Sequence, residues 1–239
     1  MSSIVCQDLC KTFAQGEERI TGLDRVSLSI DAGELLCLSG PSGSGKTTLL
    51  NALGGLDTPD SGSIRLAGRR IDQLSRGARA DLRLREIGFV FQAYNLIPVL
   101  SARENVEFVM QVQGVPVAAR HQRAAAMLAE VGLAGLENRR PGEMSGGQQQ
   151  RVAVARAIAS EPRLVLADEP TANLDSHSAT QLMDLFQTLN RDRGVTFVLA
   201  THDPRVMAYA RRLIRMEDGR IIEDIAQQAA GRPSPGGAS

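Results

Sequence analysis

The chain has 239 residues, with 27 Lys+Arg against 27 Asp+Glu and a formal net charge of zero. That length suits one large domain or two small ones, and the balanced charge argues against a protein that grips nucleic acid through bulk positive charge. A hydrophobic share of 43% with 23% charged residues excludes disorder for most of the chain, and 3% aromatics with no Trp argue against base-stacking platforms.

In chain order, 4–9 and 26–30 alternate like half-exposed strands. Four later runs are more continuously apolar, as expected of strands buried on both faces of a parallel sheet: 35–39, 87–91, 164–167 and 195–201. Residues 48–56 read as a helix after the first of these runs. Ser101 and Glu104 are spaced as a capping box for one helix, and 118–131 read as another. Residues 149–160 form an apolar helical run, and 175–190 carry Leu182, Leu185, Phe186 and Leu189 on one stripe. Asp203-Pro204 begins a further helix, and from 226 the composition turns to the Gln, Ala, Gly, Pro and Ser of a disordered tail. The first ten residues lack the pattern of a signal peptide, and the longest uncharged run, 87–102, contains Gln92, Asn95 and Pro98 and is no bilayer span. Cys6, Cys10 and Cys37 are expected as free thiols in a reducing compartment.

The polar groups at the ends of the buried runs point to a site. The first run leads into a glycine-rich loop, the second into Gln92, the third into Asp168-Glu169 and the fourth into His202. Ligands in an open α/β sheet bind beyond the carboxyl ends of the strands, so these groups converge on one edge. Gly40-Pro41-Ser42-Gly43-Ser44-Gly45-Lys46-Thr47 fits G-x-x-x-x-G-K-[ST] between a strand and a helix, and Thr48 continues it. Its backbone N–H groups and the helix start suit phosphate oxygens, Lys46 the outer phosphates and Thr47 a Mg²⁺ ion. Asp168 can hold Mg²⁺ through water, and Glu169 can polarise an attacking water. His202 reads either as a strand cap or as a sensor of the terminal phosphate, whereas His121 and His177 are expected in solvent. Ser145-Gly146-Gly147-Gln148 combines a capping-box spacing with two glycines in a first helical turn. It reads as a second anion site, suited to the nucleotide of a partner copy related by a two-fold axis.

In this order, and with Met144 before Ser145 and Asn173-Leu174-Asp175 after the acidic pair, the sequence resembles the ATP-binding subunit of an ABC transporter over residues 4–225. Asn95-Leu96-Ile97-Pro98, Glu104-Asn105-Val106 and 168–175 resemble its lipoprotein-releasing and macrolide-efflux branch. The resemblance implies an α/β P-loop NTPase fold with a mainly parallel central sheet, a small N-terminal antiparallel β subdomain and an inserted α-helical subdomain. The nucleotide-binding core would be about 1–92 and 161–225, and the helical subdomain about 93–160. It further implies that Phe13 stacks on adenine, that Gln92 contacts Mg²⁺ and the attacking water, and that Asp175 touches the opposite protomer. The implied assembly is a homodimer around two ATP, with no nucleic acid, at the cytoplasmic face of a membrane. It would drive separate transmembrane permease subunits contacted from Gln92 through Leu100. A soluble ABC ATPase acting on the ribosome or DNA is the alternative; a small-metabolite kinase would leave Ser145 and Gln148 unexplained.

Overall fold

The structure is a computed structural model that describes residues 2–16 and 18–227. Two strands, β1 (Ser2–Gln15) and β2 (Glu18–Asp31), open the chain as an antiparallel hairpin. Both run well beyond the alternating stretches at 4–9 and 26–30. Register shifts between Cys6 and Leu9, Leu9 and Lys11, and Lys11 and Thr12 put the pattern out of phase, so alternation reveals only part of each strand. With β4 (Ser61–Leu66) and β5 (Arg69–Arg70) they form a four-stranded antiparallel sheet ordered β2-β1-β4-β5.

The central sheet is built from β3 (Leu35–Ser39), β6 (Ile87–Phe91), β7 (Leu164–Asp168), β8 (Thr196–Ala200), β9 (Arg212–Glu217) and β10 (Arg220–Ala226). Its order is β10-β9-β3-β8-β7-β6, parallel throughout except for the antiparallel edge strand β10. Alternate residues of each inner strand feed two different cores. Leu35, Cys37, Val165, Ala167, Phe197 and Leu199 join one with α3 (Ala102–Val112), α4 (Val117–Glu130), α5 (Gly146–Ile158) and α6 (Ser176–Arg193). Leu36, Leu38, Leu164, Leu166, Val198 and Ala200 join the other with α1 (Lys46–Leu53) and the antiparallel sheet. Burial on both faces is why these strands read as largely apolar runs.

Helix α1 starts two residues earlier than the apolar pattern and stops at Gly54, where an added Cβ would sit 2.7 Å from the Phe89 ring. Helix α2 (Arg76–Glu86) buries only Leu82 and so gives almost no apolar periodicity. The capping boxes of Ser101 with Glu104 and of Ser145 with Gln148 both form, and Asp203 caps α7 (Pro204–Met207). Ala226, placed with the disordered tail from composition, closes β10, and the rest of that reading, 228–239, lies outside the described residues. His121 is not simply solvated: its Nε2 lies 3.2 Å from the Glu107 carboxylate. His177 meets the Gln181 amide one helical turn on. Cys6 and Cys37 are buried free thiols, and burial pushes each up to about 12, which leaves them unreactive near neutrality.

Candidate functional site

Parallel register brings the four strand ends together. Leu38 pairs with Ala200, Ala200 with Asp168 and Asp168 with Phe91. One residue further along lie Ser39, Thr201, Glu169 and Gln92, side by side across the sheet. Groups far apart in sequence thus share one edge because four strands end level.

From β3 the chain turns through the glycine loop into α1. Gly40 has φ 145°, and a Cβ there would lie 2.2 Å from the Met216 carbonyl oxygen, so no other residue fits the turn. Gly45, at the helix N-cap with φ 99°, is likewise closed off by the Gly22 carbonyl. Pro41, Ser42, Gly43, Ser44, Gly45, Lys46, Thr47 and Thr48 line a cleft of about 550 Å³ together with Gln92, Glu169 and His202. Lys46 is buried, and its Nζ donates to the carbonyl oxygens of Gly40 and Pro41, both at 2.8 Å, which fixes the ammonium inside the loop's curve. The Thr47 hydroxyl donates to Asp168 at 3.0 Å. Burial raises the Asp168 carboxyl above its ordinary range; the Thr47 hydrogen bond opposes this, and the charge of Glu169 adds to it.

Glu169 adopts a left-handed φ of 45° while its N–H donates to the Ala200 carbonyl at 2.8 Å, turning its side chain back over the strand ends. One carboxylate oxygen lies 2.7 Å from Nδ1 of His202 and the other accepts from the Thr201 hydroxyl at 3.1 Å. Both oxygens are thereby oriented. Thr47, Asp168 and Gln92 offer the hydroxyl, carboxylate and amide oxygens that a hard divalent cation prefers. Among the described residues no group of three or more His, Cys, Asp or Glu is placed to hold a metal ion; a Mg²⁺ ion here would take its remaining ligands from water or a bound phosphate, as Mg²⁺ commonly does.

Phe13 and the Ser145 turn lie apart from that cleft lining. Phe13 is 41% exposed on β1, beside Gly22 and Thr48, with the Lys11 ammonium 5.6 Å from its ring centroid. Ser145 Oγ accepts from the Gln148 N–H at 3.3 Å, and Gln148 Oε1 accepts from the Ser145 N–H at 3.0 Å. The sequence suggests that Gly146 and Gly147 are small to admit a ligand. Within the chain each also faces a neighbouring side chain: a Cβ would lie 2.7 Å from the Tyr94 hydroxyl at Gly146 and 3.0 Å from the Ser178 hydroxyl at Gly147. Asp175 caps α6, accepting from the backbone of His177 and Ser178.

Several contacts at this site could not be read from the sequence. Thr201 steers Glu169 but reads only as the end of an apolar run. Asn173 Nδ2 donates to the Gln92 carbonyl at 3.0 Å. Tyr94 and Asn95 both take left-handed φ, 56° and 51°, and Arg156 donates to the carbonyls of both. This loop is largely solvent-facing, with Val99 71% exposed. Beside it runs a groove of about 470 Å³ lined by Leu56, Leu84, Phe89, Phe91, Val109 and the two arginines Arg83 and Arg156. Among the described residues no helix is long and apolar enough to cross a membrane.

Comparison with known proteins agrees with this geometry. The family model described as ABC transporter matches residues 23–172. Macrolide export ATP-binding/permease protein MacB of Syntrophobacter fumaroxidans is 47% identical over 92% of this chain and 31% of its own length. Its counterparts from Marinobacter nauticus and Hyphomonas neptunium are 46% and 43% identical, over 92% and 97% of this chain and 34% and 36% of theirs. The chain therefore spans about a third of the length of the relatives it matches. Among solved structures, the ATP-binding cassette MJ0796 in a dimeric post-hydrolysis state with ADP and Pi superposes with a TM-score of 0.88. It is 39% identical, over 94% of this chain and 99% of that one. A second dimeric structure, of MJ0796 as a bacterial ABC transporter cassette, superposes equally well. The level strand ends, the glycine loop and this likeness agree that the chain belongs to the ABC transporter family, as its ATPase cassette.

Proposed function

We propose that two copies of this chain close around two ATP molecules and, on hydrolysis, drive transmembrane subunits of the lipoprotein-release or macrolide-export type at the cytoplasmic face of a membrane. One observation carries the reading: the glycine-loop cleft is lined by Lys46, Gln92, Glu169 and His202, while Ser145 and Gln148, at the start of α5, line no part of it. A second copy turned about a two-fold axis supplies that missing face.

In this reading the loop amides, Ser42, Ser44 and Lys46 grip the phosphates, and Phe13 stacks on the adenine. Mg²⁺, when bound, would be held by Thr47, Gln92 and Asp168 and would neutralise charge on the phosphate oxygens. Glu169 takes a proton from the attacking water as its oxygen bonds to the γ-phosphorus and the bond to ADP breaks. His202 and Thr201 hold the Glu169 carboxylate for that step. Gly146 and Gly147 present the Ser145 turn to the nucleotide of the other protomer. The division into a core of about 1–92 and 161–225 with a helical subdomain of about 93–160 belongs to the same proposal, closure being the swing of one on the other. The exposed loop through Leu100 and the adjoining apolar groove suit an amphipathic segment of the transmembrane subunits bearing a carboxylate for Arg83 or Arg156. The relatives' names, which join ATP binding to a permease, support that partner.

Glu169→Gln is expected to bind ATP, to lose hydrolysis and to accumulate a dimer seen by light scattering after gel filtration. Adding Ser145→Arg is expected to abolish that dimer while monomer ATP binding stays within about two-fold, since the serine acts on the other copy's nucleotide. A Glu169→Gln chain that remains monomeric in saturating ATP and Mg²⁺ rules the sandwich out.

A further inference from the structure

Gln150 lies on α5, in the turn after the one that Ser145 opens, and is 0% exposed. Its Nε2 donates to the Pro170 carbonyl at 2.6 Å and to the Phe91 carbonyl at 3.4 Å. The first carbonyl stands one residue past Glu169 and the second one residue before Gln92. The pair Phe91–Asp168 is the last rung between β6 and β7, so beyond it no ladder ties the two strand ends together. Gln150 bridges that gap with one amide nitrogen.

The other half of the same amide has no partner. Gln150 Oε1 is buried without a hydrogen bond, which costs free energy that an apolar side chain of the same shape would not incur. Turning the amide over would set its oxygen against two carbonyl oxygens, so the chain needs the NH₂ group and tolerates the stranded oxygen. An asparagine is one methylene too short for the same reach, and a lysine would bring an unpaired charge into the core.

We infer that Gln150 is a positioning residue that locks the backbone carrying Gln92 and Glu169 to the helix begun by Ser145. The inference rests on the function proposed above and deepens it. In the proposed dimer Ser145 sits on the partner's nucleotide, so α5 touches one site with its first turn and steers the other with its second. Helix turns are stiff over this length, and a shift of the Ser145 end reaches both carbonyls through one side chain.

The test uses the full chain. Gln150→Met keeps the volume and removes both donors. Its kcat is expected to fall about 10- to 100-fold, the effect of misplacing reacting groups by a fraction of an ångström to an ångström, while KM for ATP moves less than about two-fold. Placed in a Glu169→Gln chain it is expected to leave the ATP-dependent dimer intact. An unchanged kcat, or a loss lying wholly in KM or in dimer formation, overturns the inference. Gln150→Glu gives a second readout should the methionine variant fail to fold. Its ionised carboxylate repels both carbonyls and its protonated form regains one O–H donor. The ratio of its kcat to that of the wild-type chain is therefore expected to rise as pH falls from about 8 to about 6, the range in which buried glutamates take up a proton. A flat ratio overturns the inference. A wild-type chain that hydrolyses no ATP overturns the proposed function itself, and that result is read before any variant is compared.

Discussion

Thr201→Val replaces one buried hydroxyl with a methyl of nearly the same shape. Thr201 is 0% exposed, and its Oγ1 makes two contacts: it donates to Glu169 at 3.1 Å and accepts from the Asp203 N–H at 3.0 Å. A hydrogen bond to a charged group contributes about 1.5–3 kcal/mol and a neutral one about 0.5–1.5 kcal/mol, so the pair sums to about 2–4.5 kcal/mol. The Glu169 side chain is 19% exposed and keeps His202, so water reaches the released oxygen and the lower part of that range applies, about 2–3 kcal/mol. For a chain of this size that corresponds to a melting point about 4–12 °C lower. The second consequence is chemical. With one oxygen untethered, Glu169 samples orientations unsuited to the attacking water, and kcat is expected to fall about 10-fold or more with KM for ATP little changed. Thr201→Ser keeps the hydroxyl and is expected to retain most of both properties. Calorimetry and steady-state hydrolysis on the three chains decide the matter. A valine variant with full turnover, or a serine variant as damaged as the valine one, would refute the reasoning.

Two further outcomes rest on burial. Asp168 has its carboxyl raised in the fold, mainly by burial, so its ionised form opposes folding and stability is lost as pH rises from 3.8 through the folded value. Asp168→Asn is therefore expected to be more stable than the parent chain at about pH 7 in denaturant titrations, an advantage that vanishes on acidification toward the unfolded value, while hydrolysis is lost. A variant less stable at neutral pH would mean that the Thr47 hydrogen bond outweighs burial. Phe186, 0% exposed, packs its ring 5.1 Å from that of Phe197 and pins α6 to β8. Phe186→Ala is expected to cost about 3–5 kcal/mol by urea unfolding, and a loss under about 1 kcal/mol would show that the core refills the space.

Local signals were legible wherever one element's own chemistry decides. The strands 35–39 and 87–91 match β3 and β6 residue for residue, because burial on both faces favours apolar residues along nearly the whole strand. Both capping boxes could be read from spacing alone, since a serine and its partner three residues on belong to the same turn. The glycine loop is explicit because φ of 145° and a carbonyl 2.2 Å from any Cβ leave only glycine at position 40. Helix α2 and the strands β4, β5, β9 and β10 were not legible, being short or exposed over much of their length and placed by pairing and packing rather than by their own pattern.

The chain by itself thus marked the buried inner strands and the loops that hold the candidate phosphate-binding and acid–base groups, for these depend on side-chain period and backbone allowance within a few residues. Only the tertiary structure decided that β3, β8, β7 and β6 stand in that order with their ends level. It alone disclosed that Thr201 and His202 orient Glu169, that Gly146 packs against Tyr94, and that Gln150 joins two strand ends. Each of those depends on contacts between residues distant in the chain, which strand pairing and helix packing create and no local pattern encodes.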